Sequence, residues 1–320
     1  MVDKLPFTRH DVTFASGDST CAAWLYLPDS VETAPVIILG HGVGGTREMR
    51  LDAFAERFAQ AGFAALAFTY RHFGDSGGTP RQLLSVKHQL ADWDAAIAHV
   101  KTRADVDVTR IAVWGSSFGG GHAITVASRH PELVATVAQC PFTDGLASSL
   151  ALGPIASFKV LGVVARDLIA QARGADPVMI PVAAPPGSAA LMNAPDALPG
   201  VLAMIPDEMV FRNEVAARTV PTITRYRPGR AAKKVTMPIL FCVANADSVA
   251  PTVETLKYAR TAPLGEIKRY DAGHFDFYLG EPFEALVHDQ LEFFSRHLGQ
   301  RSRKPARSRK PAVRRRKGSR

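Results

Sequence analysis

Short apolar runs alternate with longer helical stretches along most of this chain. Pro35 to Leu39, Ala64 to Tyr70, Ile111 to Trp114, Val134 to Gln139 and Pro238 to Val243 are nearly unbroken in apolar residues. That is the pattern of strands covered on both faces. The spacing predicts opening strands near 11–15 and 22–27, strand 35–40, helix 50–61, strand 63–70 and helix 82–102. Strand 110–115, helix 118–130 and strand 134–139 follow. After an interruption the rhythm resumes with strand 238–243, helix 252–261, strand 265–270 and helix 282–298. Strands alternating with helices of this length predict an α/β fold, with a mostly parallel sheet and helices on both faces. In such sheets ligands bind at the carboxyl ends of the strands.

The interruption spans about 145–234. Its helical stretches, Leu146–Leu152, Phe158–Ala172 and Leu198–Ile205, are separated by prolines such as Pro177, Pro181, Pro185, Pro186 and Pro195. Prolines end helices and set their successors at angles, so a helical cap inserted into the sheet domain is expected. Met179, Met192, Met204, Met209 and Phe211 are the residues available to line an apolar pocket beneath it; the plainer alternative is that they only pack the cap onto the core.

The candidate chemistry starts where the strand Ile111–Trp114 runs into Gly115-Ser116-Ser117-Phe118-Gly119 and then into a helical segment. A Gly-x-Ser-x-Gly corner between strand and helix holds its central serine in a strained conformation that only small neighbours permit. It also leaves the following amide at a helix N-terminus facing the reaction site. Ser117 is therefore the candidate nucleophile and Phe118 N–H a candidate oxyanion donor. Ser116 lacks the symmetric glycines and reads as a small turn residue.

A serine hydroxyl needs a base, and the base an orienting acid, with chain order Ser, acid, His in this kind of fold. Among ten histidines, His274 lies in a loop beside Gly273, directly after the strand-like 266–270. Asp247 is the lone carboxylate in the loop after 238–243; Asp144, after strand 134–139, is its rival. Asp271 and Asp276 sit too close to the histidine and suit turn or capping roles. A second oxyanion donor is expected from the glycine-rich loop Gly40-His41-Gly42-Val43-Gly44-Gly45, at Val43 N–H, with His41 ordering the loop.

Together the His41–Gly45 loop, the Gly115–Gly119 elbow, Asp247 and Gly273-His274 resemble the α/β-hydrolase superfamily. The likeness is to lid-bearing bacterial esterases of the dienelactone-hydrolase-like and serine-aminopeptidase-like groups, and Tyr70–Gly78 matches the loop after their fourth strand. The resemblance covers about residues 10–298. It implies a cofactor-independent serine hydrolase without a metal, acting on a small-molecule carboxylic ester or thioester with an apolar acyl group. Peptide or amide hydrolysis is the alternative, and a polyanion-binding protein with a vestigial hydrolase body is the alternative of another class. Dienelactone hydrolases use a cysteine nucleophile where this chain has Ser117, so their lactone substrate does not transfer. The implied division is a core of 1–144 and 235–299, a cap of 145–234 and a tail of 300–320. Gly74-Asp75-Ser76-Gly77-Gly78 echoes the nucleophile segment of trypsin-like proteases, but the alternating pattern around it gives Ser76 a loop role.

Composition refines the picture. At 47% apolar residues, the 320-residue chain can bury a full sheet. Neither a long unbroken apolar stretch nor a secretory pattern at Met1–Pro6 is present, and three scattered cysteines cannot all pair. These features predict a cytoplasmic protein. The net charge of +8 misleads, because residues 301–320 hold eleven Lys and Arg and no acid. The first 300 residues carry 27 basic and 30 acidic groups, a net of −3. A tail of that composition is expected to be disordered, and either binds polyanions by charge or is simply solvated.

Overall fold

A computed structural model describes residues 4–29 and 31–299; the basic tail lies outside the described residues. The core strands are β1 (Phe7–Ser16), β2 (Ser19–Pro28), β3 (Ala34–Gly40), β4 (Ala64–Phe68), β5 (Val106–Ser116) and β6 (Ala135–Gln139). Their helices are α1 (Leu51–Gln60), α2 (Val86–Lys101) and α3 (Phe118–Ala127). A long excursion then carries α4 (Gly145–Ala151), α5 (Pro154–Ala172), β7 (Met179–Pro181), α6 (Ala197–Ala203), β8 (Glu214–Ala216) and α7 (Val220–Arg225). The chain returns through β9 (Ile239–Ala246), α8 (Thr252–Ala259), β10 (Gly265–Gly273) and α9 (Gly280–Leu298).

Eight strands form one sheet in the order β1-β2-β4-β3-β5-β6-β9-β10. Strand β2 runs antiparallel to β1 and β4, and every pairing from β4 onward is parallel. The near-continuous apolar runs have a direct cause in two-sided burial. In β3, Val36 and Ile38 enter one core layer while Ile37 and Leu39 enter the other, and Ile111 to Trp114 of β5 alternate likewise. Residues of α2, α3 and α8 cover the first layer and those of α1 and α9 the second. This is the α/β-hydrolase fold that the motif order implied.

Strand β3 lies between β4 and β5, so the loops leaving β3 and β5 diverge toward opposite neighbours. A crevice opens at such a switch point. Both glycine-rich segments sit there.

The structure differs from the expected elements in places. Helix α2 starts at Val86 rather than 82, because the Ser85 side chain caps it by accepting the His88 amide. Gln82 instead turns at φ 60 and donates its side-chain amide to the carbonyls of Arg212 and Glu214. Helix α5 begins at Pro154, four residues earlier than expected, with proline in the first turn where its missing N–H is harmless. The two-stranded β7–β8 ribbon was not anticipated; three-residue strands carry too little periodicity to register. No single helix among the described residues is long and apolar enough to cross a membrane.

Candidate active site

The corner after β5 has the strained geometry that its glycines imply. Ser117 sits at φ 55, ψ −117. A Cβ on Gly115 would run into the Gly119 carbonyl, and one on Gly119 would strike the Gly40 carbonyl of the neighbouring strand's end. Both flanking positions therefore exclude every larger residue. The Ser117 amide donates to Gln139 O at 2.9 Å, and its carbonyl accepts from Phe142 N at 2.9 Å, which fixes the corner against the end of β6.

His274 and Asp247 arrive from the last two parallel strands. A register irregularity between Tyr270 and Gly273 bends the end of β10 and turns the next residue inward. His274 is 1% exposed, and its Nε2 lies 3.0 Å from Ser117 Oγ. Its Nδ1 lies 2.8 and 3.0 Å from the two carboxylate oxygens of Asp247. With a carboxylate on one side and a hydroxyl on the other, the proton belongs on Nδ1, and Nε2 accepts from the serine. Asp247 Oδ1 also accepts the amides of Val249 and Ala250 at 2.9 and 2.6 Å, so its loop holds the carboxylate in place. Burial by itself would depress the imidazole, but the Asp247 charge beside it raises the His274 pKa well above 6.5.

The loop after β3 brings Val43 to the other side of the serine. A Cβ on Gly42 would lie 3.3 Å from Ser117 Cβ, so only glycine allows this approach without displacement. Among the described residues, no acceptor takes the amide of Val43 or that of Phe118. Both residues line the same cavity as Ser117. His41 orders the loop as expected: it accepts the Tyr70 amide at Nε2 and donates from Nδ1 to Gly42 O at 2.9 Å. Burial presses its pKa down to about 4, so it stays neutral.

The rejected candidates have structural partners. Ser76 Oγ donates to Thr69 O at 2.7 Å and accepts the Ala22 amide. Asp276 accepts the Gly273 amide, and Asp271 accepts from Asn245. Asp144 accepts the Leu146 and Ala147 amides as the N-cap of α4. Ser116 has a larger part than a tolerated turn residue. Its hydroxyl lies 2.5 Å from that of Tyr278 and accepts from Gln139 Nε2 at 3.0 Å. Gln290 donates to Gln139 and accepts from Trp114 Nε1, extending one buried polar chain beneath the elbow. Sequence reasoning missed Tyr278, Gln139 and Gln290, which no local motif marks.

Two cavities meet at Ser117: a larger one runs under α4, α5 and α7, and a smaller one lies on the His274 side. Met192 lines both, while Met204 and Phe211 line the second. Met209 faces other clefts, and Met179 sits on β7 away from both cavities, so two of the five expected lining residues are absent. The excursion is tied to the loops that carry Asp247 and His274. Ser248 donates to Asp196 at the head of α6, and a Cβ on Gly200 of α6 would strike the Phe275 ring. Among the described residues, no group of three or more His, Cys, Asp and Glu is arranged to hold a metal ion.

Comparison with known proteins identifies the family. Residues 31–277 match the family Hydrolase_4, serine aminopeptidase, S33. The quorum-quenching protein AidA of Acinetobacter baumannii is 50% identical over 295 residues, 92% of this chain and 97% of that protein. A thiohydrolase of Eupenicillium brefeldianum is 27% identical over 302 residues, covering 89% of this chain and 93% of that protein. Among solved structures, the α/β hydrolase GrgF from Penicillium sp. sh18 superposes with a TM-score of 0.77 at 23% identity, covering 92% of this chain and 100% of that one. At that identity it speaks for the fold alone. The chain belongs to the serine aminopeptidase S33 family of α/β hydrolases and is a hydrolase.

Proposed function

We propose that this hydrolase cleaves carboxylic esters or thioesters through an acyl-enzyme on Ser117. The observation that carries the reading is the continuous bonded line from Ser117 Oγ through His274 to Asp247. Ser117 Oγ attacks the carbonyl carbon as His274 Nε2 takes its proton. Asp247 keeps the ring in the right tautomer and stabilises the imidazolium without being protonated. The unclaimed amides of Val43 and Phe118 hold the oxyanion, a contribution worth about 10²–10³ in turnover per donor. When the tetrahedral intermediate collapses, the carbon–oxygen or carbon–sulfur bond breaks and Nε2 returns the proton to the leaving atom. Water then repeats the sequence on the acyl-enzyme, releasing the acid and restoring Ser117.

The segment 145–234 serves as the cap, since its helices α4, α5 and α7 roof the larger cavity. That cavity's largely apolar wall, including Phe142, Leu152, Val160 and Ile223, suits an apolar acyl group. An aminopeptidase reading is weaker. Among the described residues, neither cavity is lined by an Asp or Glu that could receive a free amino terminus. The 50% identity with a quorum-quenching protein supports a finer reading, in which the scissile bond belongs to an acylated signalling compound. Three free, buried cysteines, Cys21, Cys140 and Cys242, suit a reducing cytoplasm.

A fluorophosphonate probe tests the chemistry. The adduct is expected on Ser117, with labelling abolished in Ser117→Ala, alongside turnover of acyl esters or thioesters but not of aminoacyl amides. An adduct on Ser116 or Ser76 would overturn the assignment.

A further inference from the structure

We propose that the outer face of α5 docks on an anionic phospholipid bilayer, with the basic segment 301–320 as a second attachment. Both sides of this helix are largely apolar. The inner side, with Ala156, Val160 and Val164, is buried, and Val160 lines the larger cavity. Asp167 pins that side to the protein: its carboxylate pairs with Arg218 at 2.7 Å and accepts the Val178 amide at 2.7 Å. The outer side carries Ile155, Phe158, Leu161, Leu168 and Ile169, which are 69, 79, 64, 46 and 51% exposed. Their spacing sets them on one face of the helix. Soluble monomers rarely leave so large an apolar surface without a use.

Charge selects the occupant. Lys159, Arg166 and Arg173 recur every seventh residue, two turns apart, and form an exposed edge along the apolar face. Lys159 donates to a carbonyl, Gly187 O, at 2.8 Å, which leaves its charge unanswered. The one acid of α5, Asp167, is on the buried side. A second copy of this chain, pairing α5 with α5, would bring cations together with no carboxylate on that face to meet them. The segment 301–320 cannot cover the face either, since its apolar residues are only Ala, Pro and one Val. An anionic bilayer answers both features, its acyl boundary taking Phe158 and Leu161 and its headgroups the row of cations.

Helices α4 and α5 together have the apolar composition of a membrane segment, yet the chain bends by 115° between them. With its inner side held by Asp167, α5 can only lie along a bilayer, not through it. One apolar contact of this kind gives marginal, reversible binding, and stable attachment takes a second signal. Eleven Lys and Arg beyond Gln300 supply that signal. Leu298 O accepts from Arg110 of β5, so the chain leaves the sheet away from Ser117. The twenty residues 301–320 can nevertheless span up to ~70 Å, against a rise of ~36 Å along the eleven residues of β5.

The experiment is co-sedimentation of the full chain with vesicles of mixed phosphatidylglycerol and phosphatidylcholine, against phosphatidylcholine alone. Binding is expected to the anionic mixture only, and a wild-type protein that stays in the supernatant overturns the proposal. Phe158→Ser combined with Leu161→Ser should lower vesicle affinity at least ~10-fold, because two apolar side chains no longer leave water. Both positions are exposed and outside the cavities, so turnover of a soluble butyryl ester should stay within about 2-fold. Any affinity for duplex DNA, which offers nothing to an apolar face, should also stay within about 2-fold. Arg166→Glu leaves the apolar face intact and should lower vesicle affinity at least ~5-fold, which carries the test if the serine variant does not fold. Vesicle affinity unchanged by the substitutions would mean that the tail alone holds the lipid, and overturns the docking of α5. Light scattering covers the rival occupant: a wild-type dimer that becomes a monomer in the serine variant makes a second copy the partner and overturns the proposal as well.

Discussion

Tyr258 of α8 donates its hydroxyl to Asp144 Oδ2 at 2.9 Å, tying the head of α4 to the sheet domain. The other oxygen of Asp144 accepts two amides of the first turn of α4, with Arg227 3.6 Å away. Both oxygens of this carboxylate thus have partners away from His274, whose two nitrogens face Asp247 and Ser117. A credible acid by position in the sequence is a helix cap by contact.

The two aspartates should accordingly separate on mutation. Asp247→Asn is expected to cost about 10⁴ in turnover with the fold intact, since an amide favours the wrong histidine tautomer. Asp144→Asn keeps the cap and one acceptor, so turnover should fall less than ~10-fold and stability by about 1 kcal/mol. Steady-state kinetics with thermal melts on both variants decide the matter. A larger catalytic loss at 144 than at 247 would exchange their roles.

His274 sets the acidic limb of the pH profile. As the imidazolium it cannot take the serine proton, and Asp247 holds its pKa well above 6.5. The midpoint of kcat/KM in the free enzyme should therefore lie above 6.5, with activity rising as pH rises through it. In Asp247→Asn the carboxylate's pull is gone while burial still acts in the opposite direction, so the His274 ring proton resonance should titrate lower than in the wild type. An unchanged midpoint would contradict the pairing. For stability the sign is the reverse of activity: a raised folded pKa contributes fully below about 6.5 and is lost as pH climbs through the folded value.

Tyr278→Phe removes the hydroxyl that meets Ser116 beneath the elbow. The variant leaves a buried serine with one partner fewer, and about 1–3 kcal/mol of stability should go. Because that hydroxyl bonds to Ser116 rather than to Ser117, His274 or Asp247, kcat should fall less than ~10-fold. Denaturant melts and kcat measured together test this. A thousandfold fall in kcat at full stability would place Tyr278 in the chemistry.

A chain ending at Gln300 should hydrolyse a small neutral ester at the full-length rate, because the core cited above is complete by Leu298. Whatever affinity the full chain has for DNA or anionic vesicles should disappear with the eleven cationic residues. In the full chain that affinity should fall steeply with salt, as counterion release requires. Loss of most ester turnover on truncation would make the tail part of the active unit.

The parts legible in the sequence were those in which a single local segment combines a strand, a tight turn and a reactive group. The elbow at Ser117 and the loop at Val43 announce themselves because close backbone approach there excludes side chains, leaving glycines in the text. His274 and Asp247 stand out by their place after apolar strands, and the structure brings both side chains together with Ser117. The Ser116–Tyr278 contact spans 162 residues and the Gln290–Gln139 contact 151. Such pairs are set by how α9 and the segment before it lie on the sheet, which no local pattern encodes. Met179 and Met209 failed for a related reason. In a segment of short helices joined by prolines, knowing that a residue is apolar does not say which face it presents.

Among the described residues, strand β10 lies at the edge of the sheet, paired with β9, and it delivers His274, the proposed base, to Ser117, which β5 presents from the middle. Edges open at lower free energy than centres. Catalytic competence is thus anchored to a margin of the molecule. During gradual denaturation, turnover should vanish while the central strands still protect their amides from exchange, so activity reports the integrity of one border rather than of the whole.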